Sequence, residues 1–148
     1  MLDNSINSEA TILGFDFGTK RIGVAIGQQL TGSARPLITI IRRNKSEDWN
    51  KIEQLFSEWG ASEAVVGVPL NMAGEEQEMS RLASKFSNQL RGRLNIIVHE
   101  IDERMTSIEA EQIIRDNNRN NQGKKLSAEE RDIDAVAATQ ILQSWLNN

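Results

Sequence analysis

Apolar positions fall in short blocks whose period changes along the chain. TILGFDF (11–17) is apolar almost throughout, Gly18 to Arg21 interrupt it, and IGVAIG (22–27) resumes with small and β-branched residues. Two strands joined by a tight turn have this pattern. PLITII (36–41) predicts a third strand after the loop QQLTGSAR. Ser46 with Glu47 and Asp48 marks a helix start, and Trp49, Ile52, Phe56 and Trp59 recur at helical spacing until Gly60 stops it. AVVGVP (64–69) predicts a buried strand ended by Pro69. A polar helix runs from Gly74 toward Gly92, and NIIVHEI (95–101) is the next strand. Thr106 with Glu109 forms a capping box for a helix, and Ser127 with Glu130 opens a last helix reaching about Trp145. Between them NNRNNQGKKL (117–126) has no periodicity and predicts a surface loop. The order βββαβαβαα predicts an α/β fold: a mixed five-stranded sheet, three antiparallel strands and then parallel ones, with helices on both faces.

Composition narrows the chemistry. The 148 residues suit one domain over 11–148, preceded by a disordered tail at 1–10. There is no cysteine and one histidine, His99, so thiolate zinc sites and histidine clusters are excluded and any metal would be bound by oxygen. His99 itself reads as a satisfied strand residue. No apolar run approaches the roughly 20 residues that span a bilayer, and the start MLDNSINSEA is no signal peptide, so a cytoplasmic protein without membrane contact is expected. Seventeen Lys and Arg against twenty-one Asp and Glu give a net charge of -4. The cations nevertheless fall in groups: Lys20-Arg21, Arg42-Arg43 with Lys45, Arg91 with Arg93, and Lys124-Lys125. Such groups suit a local phosphate-binding surface on an acidic protein.

Three acidic positions resist a bland reading. Alternation in the first strand puts Ile12, Gly14 and Asp16 on one face and Leu13, Phe15 and Phe17 on the other. Asp16 therefore lies near the end of a strand expected to be covered on both sides, and Gly14 beside it leaves room for a helix or ligand to approach. On a wheel of about 100° per residue with Ile133 at zero, Ala137, Ile141, Trp145 and Ala138 span roughly 40–140°. Asp134, near about 100°, falls inside that stripe, whereas Asp132, near about 260°, faces solvent. A carboxylate so placed needs a donor, a metal or a cation such as Arg104. The third acid comes from HEIDERMTS (99–107), with Asp102 and Glu103 as candidates, because parallel strands discharge at one edge of the sheet. Carboxylates gathered there would suit Mg²⁺ or Mn²⁺ and, through it, phosphodiester hydrolysis.

FDFGTKRIGVA, VGVPLNMAGEE (66–76), IDERMTSIEA (101–110) and the late KK…DIDAVAATQIL, in this order, resemble the YqgF (RuvX) family of bacterial RNase H-like proteins. The resemblance runs from about residue 11 to 146. It implies an RNase H-like fold and a Mg²⁺-dependent nuclease that processes the 5′ end of pre-16S rRNA in ribosome biogenesis. Asp16, Glu103 and Asp134 would be its catalytic and metal-binding acids. Lys20, Arg21, Asn71, Arg104, Lys124 and Lys125 would contact the nucleic acid, positioning phosphates without reading bases. Ribosome-assembly proteins are implied as further partners. The alternatives are a Holliday junction resolvase acting on branched DNA and a noncatalytic RNA- or ribosome-binding module. In the similar RuvC resolvases the second acid ends strand four, where this chain has Val66-Gly67-Val68-Pro69. Asp16-Phe17-Gly18-Thr19 also matches the phosphate hairpin of actin-type ATPases, but that class closes two lobes on its nucleotide and one is expected here.

Overall fold

Burial along the first strand alternates as its sequence requires. The computed structural model describes residues 10–70, 73–74, 77–103 and 132–148. In β1 (Thr11–Phe17), Leu13 and Phe15 enter one core and Ile12 the other, all inaccessible to solvent. β2 (Arg21–Gln28) and β3 (Ser33–Ile41) follow antiparallel, and β4 (Ala61–Val68) and β5 (Ile97–Asp102) add parallel to the other side of β1. The strand order is β3-β2-β1-β4-β5. β1 is thus central, and the outgoing ends of β1, β3, β4 and β5 share one rim with the start of β2.

Helices α1 (Lys45–Trp59) and α2 (Glu78–Leu94) cover one face. Trp49, Ile52 and Phe56 of α1 and Ala83, Phe86 and Leu90 of α2 meet Leu13, Phe15, Val24 and Val66. Phe15 stacks on Phe56 at 6.0 Å and meets the edge of Phe86 at 5.5 Å, a geometry that rewards aromatic pairs beyond their buried area. The helix starts differ from the sequence reading. α1 is capped by Asn44, whose side chain accepts from the Glu47 N–H at 2.9 Å, so Ser46 lies inside the helix. Asp48 is turned inward and bonded to Arg42 Nε at 3.2 Å and the Arg43 N–H at 3.1 Å, which draws the chain into helix earlier than Ser46 would. α2 begins at Glu78, not Gly74, with the Gln77 N–H donating to Ser80 Oγ at 2.9 Å. Gly74 has φ 81, a left-handed backbone unsuited to a helix.

The other face carries α3 (Ile133–Leu146). Ala138, Ile141 and Leu142 pack on Ile12, Ala25 and Val65. The floor under this helix is made of small residues. A Cβ added to Gly14 would stand 2.7 Å from Leu142 Cβ and 3.1 Å from the Ala138 oxygen, so the close approach expected at Gly14 is made by α3. At its far end Gln143 donates to the Gly32 carbonyl at 2.8 Å and accepts from the Ala34 N–H at 3.1 Å, tying α3 to the β2–β3 turn.

The last helix also begins later than its sequence predicts. Asp132 has extended backbone, and its carboxylate accepts from the N–H groups of Asp134 and Ala135, so it is the cap and not a solvent-facing helical residue. The capping boxes at Thr106 and Ser127 and the 117–126 loop lie outside the described residues. Ile133, the zero of the wheel, is exposed, and the buried arc runs through Ile141, Ala138, Leu142 and Ala135. Asp134 still falls within that arc, at the end that overhangs the rim.

Candidate active site

Two glycines and one strand end assemble the site. Asp16 pairs in register with Gly23 of β2 on the face beneath α3. A Cβ on Gly23 would lie 1.9 Å from the Asp134 carbonyl oxygen, so the first turn of α3 rests directly on the β2 backbone. That contact sets Asp134 beside Asp16. Burial pushes the Asp16 carboxyl up from 3.8 to about 6, and the neighbouring Asp134 charge adds to the rise.

Glu103 arrives from the other side. Its N–H donates to the Val68 carbonyl at 3.3 Å, continuing the β4–β5 ladder by one residue. Along β5, His99 meets Trp145 of α3 and Ile101 packs under the same helix. Alternation therefore brings Glu103 to that face and turns Asp102 to the opposite one. Gly67 of β4 provides the space: a Cβ there would stand 2.5 Å from Glu103 Oε2 and 2.5 Å from Ile141 Cδ1. The Glu103 carboxyl is raised from 4.5 to about 7, first by burial and then by the charges of Asp16 and Asp102. The three acids are thus electrostatic neighbours in sequence of position: Asp134 acts on Asp16, and Asp16 on Glu103.

Asp134 is also held by a cation. Arg21 Nε donates to its Oδ2 at 2.7 Å. Among the described residues the cation beside Asp134 is therefore Arg21 of β2, and Arg104, the example expected from the sequence, lies outside them. Among the described residues no three His, Asp or Glu side chains close around a single ion position. The donor set nonetheless fits a hard divalent cation. It consists of carboxylate oxygens alone, and the burial and mutual repulsion that raise Asp16 and Glu103 are what a dication relieves.

The remaining expected residues divide cleanly. Lys20 is exposed in the β1–β2 turn next to Arg21, on the same rim as the acids. Asn71, Arg104, Lys124 and Lys125 lie outside the described residues. His99 is satisfied, with Nε2 at 2.9 Å from Glu63 Oε1 and its ring 4.5 Å from that of Trp145. Phe15 and Phe17 serve the core, Phe17 against Phe86 at 4.8 Å. Gly23 and Gly67 were missed as site-building residues. Their signal was a glycine inside a strand, a mark of close approach that does not say what approaches.

A family model described as "RuvX: Holliday junction resolvase" matches residues 10–148. The chain belongs to the RuvX family. A curated relative from Pseudomonas fluorescens (strain Pf0-1), named "Putative pre-16S rRNA nuclease", is 46% identical over 138 residues, covering 92% of this chain and 91% of its own. A relative of the same name from Azotobacter vinelandii (strain DJ) is 44% identical over 135 residues, covering 91% and 92%. Among solved structures, T. thermophilus RuvC in complex with a Holliday junction substrate aligns with a TM-score of 0.60 at 14% identity, over 93% of this RuvX-family chain and 94% of RuvC. Fowlpox virus resolvase with Holliday junction DNA aligns at 0.56 and 12%, over 93% and 97%. Likeness at such identities is one of fold, and the fold is the RNase H-like one.

Proposed function

We propose that this RuvX-family protein is a nuclease, a hydrolase of phosphodiester bonds, that binds Mg²⁺ or Mn²⁺ at Asp16, Glu103 and Asp134. Its substrate is pre-16S rRNA, trimmed at the 5′ end in the cytoplasm during ribosome biogenesis, with ribosome-assembly proteins as further partners. One observation carries this reading: strands and a helix far apart in sequence deliver three carboxylates to one rim, and two of them are held above the ordinary carboxylate range. The choice of RNA is supported by the name shared by relatives that are 44–46% identical over nearly the whole chain.

When bound, the cation supplies activation of a water and stabilisation of the leaving oxygen in an in-line displacement. Asp16 and Glu103 would hold it once ionised, so binding would release protons and strengthen as pH rises. Asp134, paired with Arg21 at 2.7 Å, would be the third ligand, and Arg21 would then be available to a substrate phosphate. Lys20, with Asn71, Arg104, Lys124 and Lys125, positions the backbone without reading bases.

The family model's description favours a second substrate, the four-way DNA junction. Against it, β4 runs out through Val66-Gly67-Val68 into Pro69, without the acid that RuvC-type resolvases carry there. A cleavage panel of ribosomal precursor RNA, single-stranded RNA and four-way DNA, run with wild type, Asp16→Asn and Glu103→Gln, tests both. Mg²⁺-dependent cutting of RNA that both variants lose is the expected result. Cleavage confined to four-way DNA transfers the assignment to junction resolution. Variants that cut at the wild-type rate remove the site from the reaction, and binding without products leaves a noncatalytic module.

A further inference from the structure

The acids occupy the α3 side of the rim, but a cavity of about 260 Å³ opens on the other side, between α1 and α2. Phe17 and Trp49 form part of its floor, and Thr19, Arg42, Lys45 and Lys85 line its walls. None of its described lining residues is acidic. Arg42 is partly neutralised by Asp48 at 3.2 Å. Lys45 and Lys85 are exposed and have no ion pair among the described residues. A second hollow, of about 340 Å³, continues from it past Lys45 and Trp49 to Arg93. The guanidinium of Arg93 lies 4.7 Å from the Trp49 ring and that of Arg42 4.9 Å from the Phe17 ring. Cations therefore cap the aromatic floor, leaving a surface that offers charge and not stacking.

We propose that this groove binds the sugar–phosphate backbone of a single nucleic-acid strand that passes over the β1–β2 turn from the acids. This rests on the nuclease reading and adds to it the path of the substrate away from the cut. Two features support the route. Asp16 and Thr19 are three residues apart, so the acid site and the mouth of the groove are separated by no more than about 11 Å of chain. The turn between them is also braced, since Arg42 donates through Nη1 to the Gly18 carbonyl at 3.1 Å and through its N–H to the Lys20 carbonyl at 2.9 Å. A strand held there would cross a fixed saddle carrying Lys20. A duplex is too wide and stiff to follow that bend, and a single strand is not.

The test is binding of a fluorescent single strand of about 12 nucleotides, RNA or DNA, followed by anisotropy in EDTA across a salt series. Each phosphate contact to a single strand contributes about 0.7 to the slope of log affinity against log salt. Lys45→Ala with Lys85→Ala should flatten the slope by about 1.4 and weaken binding about tenfold at 0.15 M salt. The same charge loss placed elsewhere, Lys51→Ala with Arg35→Ala, should leave the slope unchanged. A pocket variant that binds like the wild type, or that weakens no more than the remote control, overturns the groove while cleavage by the wild type keeps the nuclease reading intact. A wild type that does not bind these strands overturns the groove, and one that with Mg²⁺ also cuts no member of the cleavage panel overturns the nuclease reading as well.

Discussion

Replacing Asp16 by asparagine should stabilise the cation-free protein while ending its activity. The reasoning is linkage: a carboxyl whose pKa rises on folding keeps its proton longer in the native state, so stability falls as pH climbs between the two values. For Asp16 that window runs from 3.8 to about 6, and for Glu103 from 4.5 to about 7. Above it, both are ionised against the preference of the fold. At about 1.4 kcal/mol per pH unit the Asp16 rise corresponds to at most about 3 kcal/mol at pH 8. Water reaches the open rim and screens part of this, so the expected gain for Asp16→Asn is about 1–2 kcal/mol. The variant should also flatten the remaining slope, because Glu103 loses the Asp16 charge that helps to raise it. Urea denaturation in EDTA at pH 5 and pH 8 measures this directly, with buried Trp49 as the fluorescence reporter. The wild type should lose stability from pH 5 to pH 8, and the margin by which Asp16→Asn exceeds it should widen over the same range. Added Mg²⁺ should reverse the order by stabilising only the protein that binds it. A variant less stable than wild type at pH 8, or a wild type whose stability climbs from pH 5 to pH 8, refutes the electrostatic account of the site.

Three substitutions probe the rest. Gly23→Ala places a methyl 1.9 Å from the Asp134 carbonyl, so the start of α3 must lift; a loss of about 3 kcal/mol in urea denaturation is expected, and an unchanged midpoint would mean that α3 is not seated there. Gly67→Ala displaces the Glu103 carboxylate at a smaller cost of about 1–2 kcal/mol, since Ile141 and the acid can both give, and it should weaken Mg²⁺ binding in calorimetry; equal affinity would remove Glu103 from the ligand set. Arg21→Ala breaks a pair whose side chains are 58% and 25% exposed, so stability should change by less than about 1 kcal/mol while Mg²⁺ binds more tightly to a released Asp134. Weaker binding would show that Arg21 supports the site and does not compete for it.

Period and alternation carried most of the architecture. The two faces of β1, the covered central strand and the helices on both sides follow from where apolar residues fall, because burial is what those patterns record. Asp16 was legible for the same reason, as a charge on a face that had to be covered. Asp134 was legible through the wheel even though the wheel was centred on exposed Ile133, since the arc of Ala138, Ile141 and Leu142 is wide enough to include it. Glu103 was not separable from Asp102 by residue pattern. Only its resemblance to a known motif chose it, and that Glu103 packs over Gly67 on the α3 side of β5 is a matter of tertiary structure. Helix starts were shifted by Asn44 and Asp132, two caps that compete locally with equally good candidates nearby. The Arg21–Asp134 pair spans 113 positions, and no local pattern announces it.

The glycine floor ties two fates together. Among the described residues α3 is the only helix packed over Ile12, Ala25 and Val65, and it brings one of the three acids with it. A molecule whose last helix peels away therefore loses Asp134 from the rim in the same motion that bares an oily patch. Copies in that state expose the patch to proteases and chaperones.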